Sequence, residues 1–283
     1  MTIREALRRM TERLEAHRVS NARLTAEVLL AHCLSVERDY LYTHDERLLG
    51  SEESQTLEDT LDDRISGVPL QYIVGRQEFY GRYFQVTPAV LIPRPETEHI
   101  IESVLEIWGT WRQPPGPPRI IDVGTGSGCI AVTLSLEIPG SEVFAGDISN
   151  EALGVARRNA STAGAAVGFV CMDVLDAVSG PFDFIVSNPP YVRPDEMSLL
   201  QPEVREYEPH LALFTPGDDL EIYRRLVAEA SEKLRAGGYL IVEIGIGMED
   251  RVAELLRTGW EKLPTKRDLQ GIPRTVIARK SSL

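Results

Sequence analysis

Cysteine is scarce in this chain of 283 residues. The three present, Cys33, Cys129 and Cys171, are odd in number, far apart and in no Cys-x-x-Cys spacing. That excludes a disulfide framework and a zinc site of ordinary spacing, and points to reduced thiols in the cytoplasm. Long apolar runs are also missing: none approaches the roughly 20 residues that a membrane span requires. The opening segment TIREALRRMTERLEAH is a charged amphipathic helix, not a cleavable leader. Nor is there an excess of positive charge. With 30 Lys and Arg against 43 Asp and Glu, the formal net charge is −13. Such a surface repels phosphate backbones, because nucleic-acid affinity rests on counterion release by basic side chains. Direct nucleic-acid binding and membrane association are therefore not expected. No internal repeat and no long low-complexity stretch interrupts the chain.

What is present is an ordinary globular composition, and a length that suggests two domains. The first part, to about Val74, reads as helical. Ile3, Leu7, Met10 and Leu14 recur on one helical face. Ser20 or Asn21 is placed to cap a second helix, on which Leu24, Val28 and Ala31 share a face. Leu57, Leu61 and Ile65 mark a later helix that Gly67 and Pro69 stop, and a small bundle is expected. Residues 77–93 are aromatic and β-branched, with Gly81 and Pro88 as punctuation, and read as a hairpin or extended linker. A helix is expected from Pro95 to Trp108, and QPPGPP (113–118) reads as a loop. Apolar runs then alternate with helical stretches, at Arg119–Val123, Glu142–Gly146, Gly168–Cys171, Phe182–Ser187 and Tyr239–Ile244. That pattern predicts an α/β domain with a mainly parallel sheet. Two last runs, Trp260–Leu263 and Thr275–Ala278, suggest an antiparallel hairpin at one edge.

The run IIDVGTGSGCIA (120–131) carries the first chemistry. A strand ends at Val123. Gly124, Thr125, Gly126, Ser127 and Gly128 then turn into a helix beginning near Cys129. Glycines permit positive φ and close approach of a ligand, and the N–H groups at the helix start favour an anionic group. Asp147 ends the next strand, where a carboxylate can accept both hydroxyl hydrogens of a ribose. The bland alternative is a tight turn with Asp147 merely capping the following helix. The spacing G-x-G-x-G differs from the dinucleotide pattern G-x-G-x-x-G and resembles the first motif of Rossmann-like methyltransferases. Asp173, after the run GFVCMD, is placed to meet an adenine amino group, with Val174 packing the ring.

The second motif is FDFIVSNPPYV (182–192). Prolines at 189 and 190 hold Asn188 and Pro189 extended and remove two N–H donors, leaving a stiff turn of carbonyl acceptors at a strand end. Such a turn suits a nitrogen whose lone pair is delocalised. The Asn188 side-chain oxygen and the Pro189 carbonyl can accept its two hydrogens, and those bonds strengthen as positive charge develops on nitrogen. Tyr191 offers a flat face to a planar group. The motif alone does not choose between an amide nitrogen and an exocyclic base nitrogen.

Taken with NARLTAEVLLAH (21–32), GVPLQYIVGRQEFYG (67–81), VLIPRPETE (90–98) and EVREYEPHLAL (203–213), these motifs resemble the bacterial release-factor glutamine methyltransferases, the PrmC/HemK family, over nearly the whole chain. The resemblance implies a helical substrate-recognition domain (1–75), a β-hairpin linker (76–94) and a seven-stranded, Rossmann-like class I methyltransferase domain (95–283). It implies S-adenosylmethionine as cofactor, lined by Gly124 to Gly128, Asp147, Asp173, Val174 and Asn188. It implies peptide-chain release factors as partners, with the glutamine of their GGQ motif held by Asn188, Pro189, Pro190 and Tyr191. Arg94, Pro95 and Glu96 would shape the pocket wall. Two departures stand out: GDDL (217–220) replaces the family's GDGL, and Val174 stands where many relatives carry an aromatic residue. Glu203, Glu206, Glu208 and His210 cluster in sequence but match no metal spacing, and read as a solvated loop near the substrate entrance. Rival readings are a glutamine methyltransferase of a ribosomal protein, an amino-methyltransferase of nucleic-acid bases, and a non-catalytic binding module.

Overall fold

The structure is a computed structural model that describes residues 1–111, 116–215 and 217–281. The chain divides into two compact units, Met1–Arg76 with Gln201–Tyr207, and Gln77–Leu200 with Glu208–Leu283. The segment Gln201–Tyr207 thus belongs to the first unit rather than to the second. The expected loop over 113–118 lies partly outside the described residues. Among the described residues no helix is long and apolar enough to cross a membrane.

The first unit is helical. α1 (Ile3–Ala16) starts with a reciprocal cap, Thr2 Oγ1 accepting the Glu5 N–H and the Glu5 carboxylate accepting the Thr2 N–H. Ile3, Leu7, Met10 and Leu14 are all buried. α2 (Ala22–Leu34) uses the expected face only in part: Ala31 is buried and Val28 half-buried. Leu24 is 45% exposed, whereas Ala22, Ala26, Leu29 and Leu30 turn inward. Asn21 stands at its N-cap, but its side chain makes no cap hydrogen bond. Apolar residues occupy most of this helix, so two stripes offset by two residues both satisfy a 3.6-residue period, and packing against α1 chooses between them. α3 (Tyr40–Thr43), α4 (Ser51–Ile65) and α5 (Leu70–Val74) complete the bundle, with Leu57 and Leu61 of α4 in its core. A short helix, Pro202–Tyr207, joins them through Glu203, paired with Arg64 at 2.7 Å, and Tyr207, whose hydroxyl donates to the Ser66 carbonyl.

The second unit opens with a hairpin, β1 (Arg76–Phe79) and β2 (Arg82–Gln85). Its two-residue turn puts Tyr80 and Gly81 at φ +51° and +72°, the backbone that matches the twist of a tight hairpin. After a short 3₁₀ turn, α6 (Glu98–Thr110) leads to the main sheet. β3 (Arg119–Val123), α7 (Cys129–Glu137), β4 (Glu142–Asp147), α8 (Asn150–Ala163), β5 (Val167–Cys171) and β6 (Phe182–Ser187) follow. Then come β7 (Leu234–Glu243), β8 (Trp260–Lys262), β9 (Lys266–Arg267) and β10 (Pro273–Lys280). The order is β5-β4-β3-β6-β7-β10-β8, with β9 paired to β10. The two-residue β9 makes eight strands where seven were expected. β3 to β7 are parallel, and β10 is antiparallel to its three partners. The pair β8–β10 is the expected edge hairpin, with β10 one place further in, between β7 and β8.

Both faces of this sheet are covered. Neighbouring strand residues point to opposite sides, so Ile121, Ile185, Leu240 and Val276 enter one core, while Ile120, Phe184, Ile241 and Ile277 enter the other. The helices Glu221–Lys233 and Glu249–Leu255 cover the first, and α6 and α7 the second.

The GDDL departure has a local cause. The turn's positive φ falls on Gly217, at +85°, and not on Asp219. Asp219 is 5% exposed, and both its oxygens accept from Arg251, at 2.7 and 2.6 Å. Asp219→Gly is expected to lower unfolding free energy by about 1–2 kcal/mol, because a bidentate charged pair anchored on one buried partner is lost. Urea denaturation measures this, and an unchanged midpoint would show that the pair contributes nothing.

Candidate active site

The strand order reverses at β3, which has β4 on one side and β6 on the other. Ligands of open α/β sheets sit at the carboxyl ends of strands around such a point. Gly124 and Gly126 take φ +71° and +53°. The Gly146 carbonyl of β4 accepts both the Gly124 and Thr125 N–H groups, at 2.9 and 3.0 Å. Asp147 fastens the same turn from the next strand: Oδ2 accepts the Gly126 N–H and Oδ1 the Ser149 N–H, each at 2.9 Å. The helix after it is capped by Ser149, which accepts from Ala152, so the side chain of Asp147 is not the helix cap. Asn159 of α8 accepts the Gln85 N–H and donates to the Ser127 carbonyl, tying the turn to the hairpin. No sequence pattern marks Asn159. Gly128 sits behind the turn, where an added Cβ would lie 3.0 Å from that of Ala156.

At the end of β6, Ser187 Oγ donates to the Val123 carbonyl at 2.7 Å. In the parallel register Ser187 faces Val123. Asn188 and Gly124 are therefore the first residues past matched strand ends. The Asn188 Nδ2 donates to Thr97 Oγ1 at 3.1 Å, and Thr97 donates to Glu243 Oε2 at 2.7 Å. Among the described residues, none donates to Asn188 Oδ1 or to the Pro189 carbonyl. Tyr191 turns away from the ligand space. Its ring packs into the core and its hydroxyl reaches Glu243 Oε1 at 3.5 Å. Burial, and then the Glu243 charge, raise its pKa.

These ends enclose a cleft of about 620 Å³. Gly124, Thr125, Gly126, Ser127, Asp147, Asp173, Val174, Asn188, Pro189 and Pro190 line it. Gly128 and Tyr191 do not. Gly128 packs closely against Ala156, and the Tyr191 ring packs against the core instead of facing the cleft. Of the expected wall, Arg94 lines the cleft; Pro95 and Glu96 do not, and Thr97 does. Val174 holds φ +58°, costly for a β-branched residue, while Glu229 secures the next N–H, that of Leu175, at 2.9 Å. Asp173 pairs with Arg225 at 3.0 Å, and Arg225 also lines the cleft. The acidic run after Leu200 is not one solvated loop. Glu208 is buried and accepts from Arg94 and from the Ile92 N–H. No group of three potential metal ligands occurs among the described residues.

Two carboxyls behind the cleft have lost their water. Burial pushes Asp122 up to about 7, against a hydrogen bond from Thr125, and Glu243 up to about 7, against one from Thr97. Both bind protons more tightly folded than unfolded, so their protonation favours the fold. That contribution is complete below the ordinary carboxylate range near pH 4 and is lost as pH rises through 7. The melting temperature of the ligand-free protein is expected to fall by about 5 °C or more between pH 5.5 and 8. Asp122→Asn or Glu243→Gln should flatten that slope, read by calorimetry across pH. A slope untouched by both would assign it to other groups.

The cleft meets the demands of an adenosine carrying an amino-acid tail. Asp147 uses one acceptor site on each oxygen for the turn and keeps another on each for a ribose hydroxyl. The glycine turn leaves open space where Cβ atoms of Gly124 and Gly126 would stand, and Val174 and Ile222 supply an apolar wall. Sheet order, glycine turn and the acid on the neighbouring strand together define a class I methyltransferase, whose cofactor is S-adenosylmethionine. The fold likeness extends to solved structures: the hMettl16 catalytic domain in complex with MAT2A 3′UTR hairpin 6 superposes with TM-score 0.57 at 20% identity, covering 79% of this chain and 82% of that one. Sequence is more specific. Residues 5–75 match the PrmC N-terminal domain, and residues 114–205 the methyltransferase small domain. A release factor glutamine methyltransferase of Koribacter versatilis is 45% identical over 287 residues, covering 99% of each chain. That of Bacillus subtilis is 39% identical, covering 98% of this chain and 97% of its own. The chain belongs to the release factor glutamine methyltransferases.

Proposed function

We propose that this enzyme transfers a methyl group from S-adenosylmethionine to the side-chain amide nitrogen of the glutamine in the GGQ motif of peptide-chain release factors. One observation carries the reading. Among the described residues nothing donates to Asn188 Oδ1 or the Pro189 carbonyl, two acceptors of residues that line the same cleft as the glycine turn. When bound, S-adenosylmethionine supplies an electrophilic methyl on a sulfonium. Asn188 and Pro189 hold the two amide hydrogens and aim the nitrogen lone pair. As the N–CH3 bond forms and the S–CH3 bond breaks to leave a neutral thioether, the nitrogen gains positive charge. Both hydrogen bonds then strengthen, so the turn stabilises the transition state more than the ground state, and the nitrogen afterwards loses one proton to water. The two prolines keep the acceptors fixed, which lowers the orientational cost. Tyr191, out of the cleft, supports the turn from behind.

The helical unit, which carries the family's N-terminal domain, is the part that engages the release factor. The three free thiols fit work in the cytoplasm. A net charge of −13 weighs against a nucleic-acid base as acceptor. Mass spectrometry of a release factor incubated with enzyme and cofactor tests the proposal: one added methyl is expected on the GGQ glutamine. Methylation of a ribosomal protein or of nucleic acid, with none on the release factor, would overturn it.

A further inference from the structure

We propose that Thr97 and Glu243 form a positioning relay that fixes which end of the Asn188 amide faces the cleft. The inference rests on the reading of Asn188 as the acceptor of the substrate amide, and it adds two residues that the motif does not contain. The two ends of an asparagine amide are nearly equal in size, so sterics alone does not choose between them. Hydrogen-bond polarity does. Thr97 has one hydroxyl hydrogen, and it goes to Glu243 Oε2 at 2.7 Å. Its oxygen is then left to accept, and it accepts from Asn188 Nδ2 at 3.1 Å. The carbonyl end of the amide is thereby the end left for the cleft.

The relay is placed to be rigid. Thr97 is 2% exposed, and so is Glu243. Glu243 ends β7, next to β6 in the sheet, and its backbone carbonyl also accepts the Tyr223 hydroxyl at 2.8 Å. Its other carboxylate oxygen faces the Tyr191 hydroxyl. One buried carboxylate thus reaches both ends of the Asn-Pro-Pro-Tyr turn, Asn188 through Thr97 and Tyr191 directly. Among the described residues no cation lies within ion-pair distance of the Glu243 oxygens, and burying such a carboxylate is costly; setting the polarity of this chain gives it a role that packing alone does not.

The test compares Thr97→Val, Thr97→Ser, Glu243→Gln and Asn188→Ala with the native enzyme, using a release factor and S-adenosylmethionine. Thr97→Val keeps the shape and loses the hydroxyl. Its kcat is expected to fall about 10–100-fold, with cofactor Kd within about twofold. Thr97→Ser should restore kcat to within about threefold of native. In Glu243→Gln the new amide can donate to Thr97 and permit the reversed polarity, so kcat should fall about 3–30-fold even if Thr97→Val does not fold. A purely structural role would lower stability and cofactor affinity along with kcat and would not single out the hydroxyl. Native kcat in Thr97→Val or in Glu243→Gln, or a Thr97→Ser as slow as Thr97→Val, would overturn the relay. Asn188→Ala separates the two ideas. If it is inactive while Thr97→Val is fully active, the relay fails and the acceptor reading stands. If Asn188→Ala is itself active, that reading fails and takes the relay with it.

Discussion

Replacing Asn188 by alanine is expected to slow methyl transfer by at least about 10²–10³-fold, with cofactor affinity within about threefold. The size follows from what is lost. In the proposed reaction the side-chain oxygen accepts from a nitrogen on which charge develops, and a preorganised acceptor of this kind acts mainly on the transition state. The selectivity follows from what remains. Ser187 still ties β6 to β3 through the Val123 carbonyl, and Pro189 and Pro190 still stiffen the turn. The glycine turn is held from β4, by the Gly146 carbonyl and Asp147, and needs nothing from residue 188. Steady-state kinetics and calorimetry on one preparation separate the two effects. An Asn188→Ala enzyme within threefold of native kcat would remove the acceptor from the mechanism.

Replacing Asp147 by alanine should act on the other ligand, weakening S-adenosylmethionine about 10–10³-fold. Hydrogen bonds to a charged acceptor contribute about 1.5–3 kcal/mol each, and a ribose offers two. A second loss adds to this. The Gly126 and Ser149 N–H groups both rest on this carboxylate, so the glycine turn loses one fastening and the entry to α8 another. Burial raises the Asp147 pKa, and the N–H groups of Ser149 and Gly126 oppose that shift. Asp147→Asn keeps one oxygen and should fall between native and alanine. An unchanged Kd in the alanine variant would place the ribose elsewhere.

The parts of this site that lie within short stretches of chain were legible before any coordinates. Positive φ at Gly124 and Gly126 is a local demand that only glycine meets cheaply, and proline restricts its neighbour wherever it stands. The same holds for the apolar runs of the parallel strands. Legibility ended where tertiary packing chose among locally equal options. The inward face of α2 is one case, since Leu24 and Leu29 carry the same apolar signal but opposite exposure. Tyr191 is another: its type suggests a stacking face, and only the path of the turn shows it behind the prolines. Asp219 is a third: the departure from GDGL shows in the sequence, but not that Arg251 holds the carboxylate while Gly217 takes the positive φ.

By itself, then, the chain order of residues determined the glycine turn, the carboxylate at the end of β4, the proline-stiffened turn after β6 and the α/β alternation, because each depends on backbone and side-chain properties of neighbours in sequence. Only the tertiary structure decided that β6 lies against β3 with Ser187 opposite Val123, which brings Asn188 beside Gly124. Only it joined Thr97 and Glu243 to Asn188, although Asn188 stands 91 positions from Thr97, and Glu243 stands 146 positions from Thr97. The reason is physical: parallel pairing and a buried hydrogen-bond chain depend on which distant surfaces come together when the core excludes water, and no local spacing encodes that choice.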